Sequence, residues 1–296
     1  MTERKTHLDG TAVALLIACC LFWGAQQVLV KATIAEIPPI FQAALRFAGA
    51  TVLLLIWCRL RHIPLWQRDK SLLPGLLAGL LFAVEFGCIY GGLQYTSASR
   101  LTVFTYTSPF WVAVLVPLWV PTEKVGKTQW LGLVLAFCGV TIALSDGLTQ
   151  GGASHWRGDA LAMAAGLFWG LTTVVIRTSL LARLSAEKLL FYQVGVSTLI
   201  LPWVSMVLGE TWQPVWSSFA ITSMVIQTVL GAFISYLTWM WLLGRYPATK
   251  MSSFVFLTPV FALLIGSFWL GEAITGPLVA GLALVAAGML LVNRKN

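Results

Sequence analysis

The sequence predicts an all-α integral membrane protein, in which ten transmembrane helices form two inverted five-helix repeats with both termini cytoplasmic. Three observations predict this fold class: the composition, the placement of the basic residues and an internal repeat. Of the 296 residues, 58% are hydrophobic and 10% are charged, and the mean hydropathy is +0.84. A soluble domain carries about 25% charged residues because its surface must be solvated. The composition therefore indicates a membrane protein and excludes a disordered or disulfide-rich secreted chain.

Apolar runs of transmembrane length follow one another along the chain. A bilayer core is crossed by about 20 apolar residues of helix, so ten spans leave no room for a soluble catalytic or regulatory domain. The first half, residues 1–145, is predicted to contain spans at 11–30, 40–58, 72–93, 101–120 and 128–144. After a polar linker loop at 146–158, the second half, 159–296, is predicted to contain spans at 160–176, 189–208, 219–243, 251–270 and 273–292. We expect the first span to be retained, since it lacks a clear signal-peptide cleavage site.

The basic residues alternate between the two sides of this arrangement. The side that holds the N-terminus receives 15 of the 19 lysines and arginines, the other side receives 3, and Arg46 lies inside a span. Cytoplasmic loops are enriched in lysine and arginine, and a wrong span count would scramble the alternation. The net charge of +8 is therefore a topology signal, and nucleic acid is not needed to explain it.

Matches at a slowly drifting offset relate the two halves. At an offset of 146 residues, Phe22-Trp23-Gly24 recurs as Phe168-Trp169-Gly170, and Lys31 maps onto Arg177. At offsets of 149 and 150 residues, the matches are Glu123 with Glu272, Gly132 with Gly281, Gly139 with Gly288, and Thr107-Ser108-Pro109 with Leu257-Thr258-Pro259. Each half holds an odd number of spans, so the second half enters the membrane from the opposite face. Inverted repeats are typical of secondary transporters; duplication without transport is the alternative.

These motifs resemble those of the drug/metabolite transporter superfamily, specifically its EamA-type ten-helix exporters. The resemblance covers essentially the whole chain and rests on the doubled Phe-Trp-Gly motif, each copy followed by a basic residue, on Leu45-Arg46-Phe47, and on Pro109 and Pro259, each followed by a glutamate. It implies a multi-pass carrier of a bacterial-type inner membrane that exports small organic metabolites, often amino acids. Similar exporters include those for threonine and homoserine and the YddG-like aromatic amino-acid exporters. Family membership does not identify the substrate.

Arg46 and Glu85 are the ionisable residues well inside the predicted spans. Such residues cost about 2.5–3.5 kcal/mol on insertion scales and usually face a cavity or each other. At about 1.5 Å rise per residue, their depths below the periplasmic end are roughly 9 and 12 Å, so a structural salt bridge is one interpretation. If they are unpaired, Arg46 is suited to hold a substrate carboxylate, and Glu85 a substrate ammonium or a proton. Proton antiport would depend on Glu85 alone.

Polar and aromatic residues within the spans complete the candidate site, which we place between spans one, three, four, six, eight and nine. Gln residues there line a cavity or join helices, and deep aromatic rings stack on substrate or on neighbouring helices. Thr102, Thr105, Tyr106 and Pro109 share one face of a continuous helix. Pro109 and Pro259 are predicted gating hinges; static kinks are the alternative. The predicted substrate-binding residues are Trp23, Gln26, Gln27, Arg46, Glu85, Tyr90, Thr102, Thr105, Tyr106, Trp169, Thr173, Tyr236 and Trp239.

The predicted function is export of amphiphilic metabolites, most of all amino acids, by alternating access. An integral-membrane enzyme acting on lipid, a passive channel, and an exporter of nucleosides or drugs are the alternatives. The sequence has no GxxxxGK[ST], HExxH or GxSxG motif, and its five cysteines form no CxxC. We therefore expect no enzymatic activity, no cofactor and no metal. The expected partners are a small-molecule substrate and the lipid bilayer; the oligomeric state stays open, and a monomer is compatible with the sequence.

Overall fold

The computed structural model describes residue 5 and residues 7–67, 69–96, 98–143, 145, 155–270 and 276–293. Every regular element in these ranges is a helix, and none is a strand, which confirms the all-α prediction for them. Seven helical segments are long and apolar enough to cross a membrane, and Lys127–Ala143 and Val279–Asn293 are shorter apolar helices. The chain is a multi-pass membrane protein. Most of the predicted linker, residues 146–154, and Glu272 lie outside the described residues.

The helices follow the predicted order with small differences at their ends. In the first half they are α1 Gly10–Thr33, α2 Pro39–Leu60, α3 Leu72–Gly92, α4 Ala98–Thr105, α5 Ser108–Trp119 and α6 Lys127–Ala143. In the second half they are α7 His155–Thr178, α8 Ala186–Val207, α9 Ser218–Ile226, a π-helical segment Gln227–Ser235, α10 Tyr236–Arg245, α11 Ala248–Phe254, α12 Leu257–Leu270 and α13 Gly276–Asn293. Short 3₁₀ turns occupy Pro121–Glu123 and Leu180–Arg183. The end of the predicted linker is helical, because α7 begins at His155.

The predicted fourth and ninth spans are both interrupted just before their proline. Proline has no backbone N–H, and its ring disfavours a helical conformation in the residue before it. The chain crosses the first break through 3₁₀-type bonds, with the Thr107 N–H donating to Phe104 O at 3.2 Å. At the second break the Thr258 N–H donates to Val255 O at 2.9 Å. Both predicted kinks are therefore present, and their use as gating hinges stays a prediction.

The repeated Phe-Trp-Gly motif brings each half against the broken helix of the other half. Helix α1 packs on α12, and α7 packs on α5. A Cβ at Gly24 would lie 2.8 Å from the Thr258 carbonyl oxygen, and a Cβ at Gly170 would lie 2.6 Å from Trp111 Cβ. Both glycines therefore permit a helix approach that any side chain would block.

Helices α6 and α13 pack against each other in antiparallel directions through paired glycines. Gly132 lies opposite Gly288 and Gly139 opposite Gly281, so the partner's number falls as the residue number rises. A Cβ at Gly132 or Gly139 would lie 2.6 Å from the carbonyl oxygen of its partner. Small residues at such positions allow the two backbones to come into contact, which is how helices associate in lipid.

A carboxylate from the second half caps the start of α2. Glu210, in the connection from α8 to α9, accepts hydrogen bonds from the backbone N–H groups of Ile40 and Phe41 at 2.9 and 2.8 Å. The residue before the helix is Pro38, whose side chain makes no cap. The first N–H groups of a helix have no internal partner and carry a partial positive charge, so a carboxylate there is stabilising. Glu210 thus joins the two halves on this side.

Candidate binding cavity

A cavity of about 160 Å³ lies between α1, α2, α3, α4, α7, α8 and α10. All thirteen residues predicted to bind substrate line it: Trp23, Gln26, Gln27, Arg46, Glu85, Tyr90, Thr102, Thr105, Tyr106, Trp169, Thr173, Tyr236 and Trp239. The structure thus brings them together, and their role in binding stays a prediction. Gln26 and Gln27 face the cavity together with Thr172 and Thr173, their equivalents in the repeat.

Two details of the predicted site differ from the structure. No described residue of α11 or α12 lines the cavity, because α1 packs against α12 and its other side faces the cavity; α8 contributes Gln193 instead. Pro109 was predicted on the face of Thr102, Thr105 and Tyr106, but it does not line the cavity. That prediction assumed a continuous helix, and the break between α4 and α5 changes the direction of the face.

Three tryptophans form the aromatic wall of the cavity. The ring centroids of Trp23 and Trp169, which are equivalent in the repeat, lie 6.3 Å apart with the planes at 74°. Trp239 lies 5.3 Å from Trp23 and 6.4 Å from Trp169. These edge-to-face and tilted contacts are favourable arrangements for aromatic pairs. The Trp23 Nε1–H donates to Ser235 Oγ at 2.7 Å, so this ring is held in place from the π-helical segment.

Arg46 forms the opposite, polar wall and is 1% exposed. Its guanidinium carbon lies 4.7 Å from the ring centroid of Phe47, 5.0 Å from that of Phe86 and 5.7 Å from that of Tyr90. These contacts lie within the range of cation–π attraction. Arg46 Nε and Nη2 have no hydrogen-bond partner among the described residues.

The salt bridge between Arg46 and Glu85 that the depths allowed is not formed. In the described part of the chain, no carboxylate oxygen lies within 4.0 Å of Arg46. Equal depth gives only the position along the membrane normal, and the Arg46 side chain is turned into the rings of α3. The clasp interpretation is therefore wrong for this structure, and both charged groups face the cavity.

Further polar groups lie on the cavity wall without partners among the described residues. These are the Tyr90 hydroxyl, Thr105 Oγ1 and Gln193 Oε1. A buried polar group left without a hydrogen bond costs about 1–3 kcal/mol, so native proteins normally satisfy it with water or a ligand. Gln193 was missed by the sequence predictions, although a glutamine within an apolar run, as at Gln26, was the available signal. This wall therefore offers both donors and acceptors to a guest molecule.

An ion pair lies beside one end of the cavity. Arg177 forms a salt bridge with Glu123, and their side chains are 3% and 5% exposed. Arg177 Nη1 also donates to the Leu243 carbonyl at 2.9 Å, and Leu243 lines the cavity. The sequence predictions placed Arg177 in a loop as a topology signal and missed this pair. Basic residues at span ends cannot be distinguished from solvated ones without knowing which helix end lies beside them.

Lys31, the repeat equivalent of Arg177, lies at the opposite end of the cavity. The Tyr246 hydroxyl donates to the Asp9 carboxylate at 2.7 Å, so the end of α10 lies beside the start of α1. Arg177 is bonded to the end of α10, whereas Lys31 lies at the end of α1. Lys31 is exposed and lines the cavity. One end is thus closed by a buried ion pair, and the other has a charged side chain at its exposed rim.

Comparison with known proteins gives a consistent result. A sequence model of the EamA-like transporter family matches residues 10–145 and 156–294. A Synechocystis protein named as an uncharacterized transporter is 29% identical over 99% of this chain and 93% of its own length. The transporter YvbV of Bacillus subtilis, also named as uncharacterized, is 29% identical over 98% of this chain and 94% of its own. One crystal structure has the same fold, with a TM-score of 0.80 and 17% identity over 95% of this chain and 98% of that one.

Proposed function

Since the chain belongs to the EamA-like transporter family, we propose that it is a secondary transporter that exports small organic metabolites, amino acids above all. The proposal includes ten spans in two inverted repeats, cytoplasmic termini and a bacterial-type inner membrane. It also includes alternating access, a small-molecule substrate and the bilayer as partners, and substrate binding by the thirteen predicted residues. A relative in Escherichia coli, YedA, is 25% identical and is named as an inner membrane transporter, which supports the location.

The observation that carries the proposal is Arg46, a buried arginine with two unpartnered nitrogens on the wall of an aromatic cavity. A guanidinium binds a carboxylate through two parallel hydrogen bonds. Glu85 and Gln193 Oε1, on the same wall, are suited to accept hydrogen bonds from an ammonium group. The tryptophan wall is suited to the apolar side chain of the same molecule. An amphiphilic amino acid would thus satisfy both sides of the cavity.

The size of the cavity supports a small substrate. A cavity of about 150 Å³ is sufficient to hold a benzene molecule, and this cavity has a volume of about 160 Å³. A single aromatic ring or a short aliphatic chain fits such a space, whereas a lipid does not. The volume therefore favours a metabolite exporter over an enzyme acting on lipid.

The two ends of the cavity support alternating access. The buried pair of Arg177 and Glu123 joins the second half to the first at the end that holds the N-terminus. With cytoplasmic termini, this closed end faces the cytoplasm, and the end with exposed Lys31 faces outward. Opening to the cytoplasm requires the ion pair to separate while the halves rock about the cavity. The breaks before Pro109 and Pro259 lie where the halves contact each other, as hinges would.

Transport by reconstituted protein tests the proposal. Liposomes containing the protein are screened with radiolabelled amino acids, nucleosides and sugars, with and without a pH gradient. We expect saturable counterflow of amino acids that Arg46→Gln abolishes. Arg59→Gln, which changes an exposed arginine on the same helix, is the matched control and leaves the flux unchanged. Flux of another solute class alone would reject the amino-acid substrate, and no flux together with a lipid product would reject transport.

A further inference from the structure

We propose that Gly231 determines how large a substrate the cavity accepts, because its lack of a side chain lets the Gln26 amide lie outside the substrate space. The inference rests on the proposed function, since it concerns the same cavity. Gly231 does not line the cavity, and it lies in the π-helical segment behind Gln26. It would act through Gln26 as a positioning residue.

Polar contacts hold the π-helical segment and α1 side by side in antiparallel directions. Thr33 Oγ1 lies 2.6 Å from Ser223 Oγ at one end, and the Trp23 indole donates to Ser235 Oγ at 2.7 Å at the other. Between these contacts, Gly231 lies opposite Gln26. The backbone of the segment therefore cannot move away from α1 without breaking contacts on both sides of Gly231. π-Helical turns are frequent at functional sites.

A side chain at Gly231 would meet only the end of the Gln26 side chain. A Cβ there would overlap Gln26 Oε1, and it would lie 2.9 Å from Cδ and 3.5 Å from Nε2. Gln26 Oε1 has no hydrogen-bond partner among the described residues, so no bond holds it in place. Gln26 is 7% exposed and lines the cavity, which is the open space beside it. An alanine at 231 would therefore move the amide into the cavity.

The contact at Gly231 differs from those of the other closely packed glycines. A Cβ at Gly24 would meet backbone atoms of Thr258 and Ala262, which cannot yield without moving a helix. The Gln26 side chain can yield by rotation about its χ angles. We therefore expect Gly231→Ala to fold and to have a smaller cavity. Gly244→Ala is the matched control, because a Cβ at Gly244 has nothing within 4 Å.

The test measures cavity space without using a substrate. Thr173→Cys places a thiol on the cavity wall of a protein in which Cys88 and Cys138, the cysteines that are not buried, are changed to alanine. The thiol is labelled with methyl and with benzyl methanethiosulfonate. One group in a close-fitting pocket changes discrimination by about tenfold or more. We expect Gly231→Ala to lower the benzyl-to-methyl rate ratio by that factor, Gly244→Ala to leave it unchanged, and Gln26→Ala added to Gly231→Ala to restore it.

Three outcomes would overturn the proposal: an unchanged ratio in Gly231→Ala, no restoration by Gln26→Ala, or failure of Gly231→Ala to fold. Transport of labelled phenylalanine and alanine by the same variants provides the functional measurement, and we expect Gly231→Ala to lose phenylalanine transport first. If the wild-type protein transports neither amino acid, the proposed substrate is wrong, and the labelling ratios still decide the role of Gly231.

Discussion

The Arg177 guanidinium and the Glu123 carboxylate form a buried ion pair that joins the two halves of the chain. The second oxygen of Glu123 accepts a hydrogen bond from the Ala248 backbone N–H at 2.8 Å. Glu123 therefore binds two separate segments of the second half, the end of α7 and the start of α11. In the proposed transport cycle, this is the contact that must separate before the cavity opens to the cytoplasm.

Glu123→Gln is expected to destabilise the closed end. Removing one partner of a buried ion pair costs about 3–5 kcal/mol, because it leaves an uncompensated charge. Thermal unfolding should show the loss, and a thiol at Ile176→Cys should react faster with an impermeant maleimide added from the N-terminal side. Glu123→Gln combined with Arg177→Gln should recover part of the stability, since no charge is then left alone. Equal unfolding temperatures for wild type and Glu123→Gln would contradict this role.

Asp69 is expected to make the stability of the loop between α2 and α3 depend on pH. The Lys188 ammonium, 2.7 Å away, and the Ser71 hydroxyl lower the pKa of Asp69 to about 2. A carboxyl whose pKa is lowered by folding stabilises the folded state above its ordinary pKa of 3.8, and this contribution disappears as the pH falls toward 2. The unfolding temperature of wild type should therefore fall more steeply between pH 5 and pH 2.5 than that of Asp69→Asn. Parallel curves would contradict the assignment.

Glu210→Ala is expected to destabilise the start of α2. The variant leaves the Ile40 and Phe41 N–H groups without their carboxylate partner, and loss of a helix cap costs about 0.5–2 kcal/mol. Limited proteolysis of the connection between α8 and α9 should become faster, and the unfolding temperature should fall. Gln213→Ala, an exposed change in the same connection, is the control. If both variants behaved alike, the cap would have no measurable effect.

Gly24→Ala is expected to disturb the contact between α1 and α12. A Cβ at Gly24 would lie 2.8 Å from two backbone atoms of α12. Overpacking of a close contact typically costs about 1–3 kcal/mol. The yield of folded protein after detergent extraction should drop, whereas Gly244→Ala should match wild type. A normal yield of Gly24→Ala would mean that the two helices do not depend on this contact.

Much of the site was predictable from the sequence, because polar residues within apolar spans have few places to go in a membrane. Gln26, Thr102 and Arg46 all lie where that reasoning placed them, on the wall of one cavity. The prolines likewise predicted where two helices are interrupted. The doubled Phe-Trp-Gly motif predicted the family, although its physical reason, the close approach of Gly24 and Gly170 to broken helices, is visible only in the structure.

Other features depend on helix rotation, which the sequence does not determine. Arg46 and Glu85 have similar predicted depths, but successive residues turn by about 100° around a helix axis, so depth does not give direction. The same holds for Arg177, whose carboxylate partner lies 54 residues away in the chain. The π-helical segment has no distinctive composition, and it forms among contacts between α1 and the second half.

Carboxylate recognition by Arg46 is the central claim, and one competition experiment tests it most directly. Counterflow of labelled phenylalanine is measured in liposomes against unlabelled phenylalanine and against phenylalaninamide, which lacks the carboxylate. Hydrogen bonds to charged groups contribute about 1.5–3 kcal/mol, so wild type should prefer the acid by about tenfold or more, and Arg46→Gln should lose that preference. Equal competition by both compounds in wild type, or an undiminished preference in Arg46→Gln, would contradict the claim.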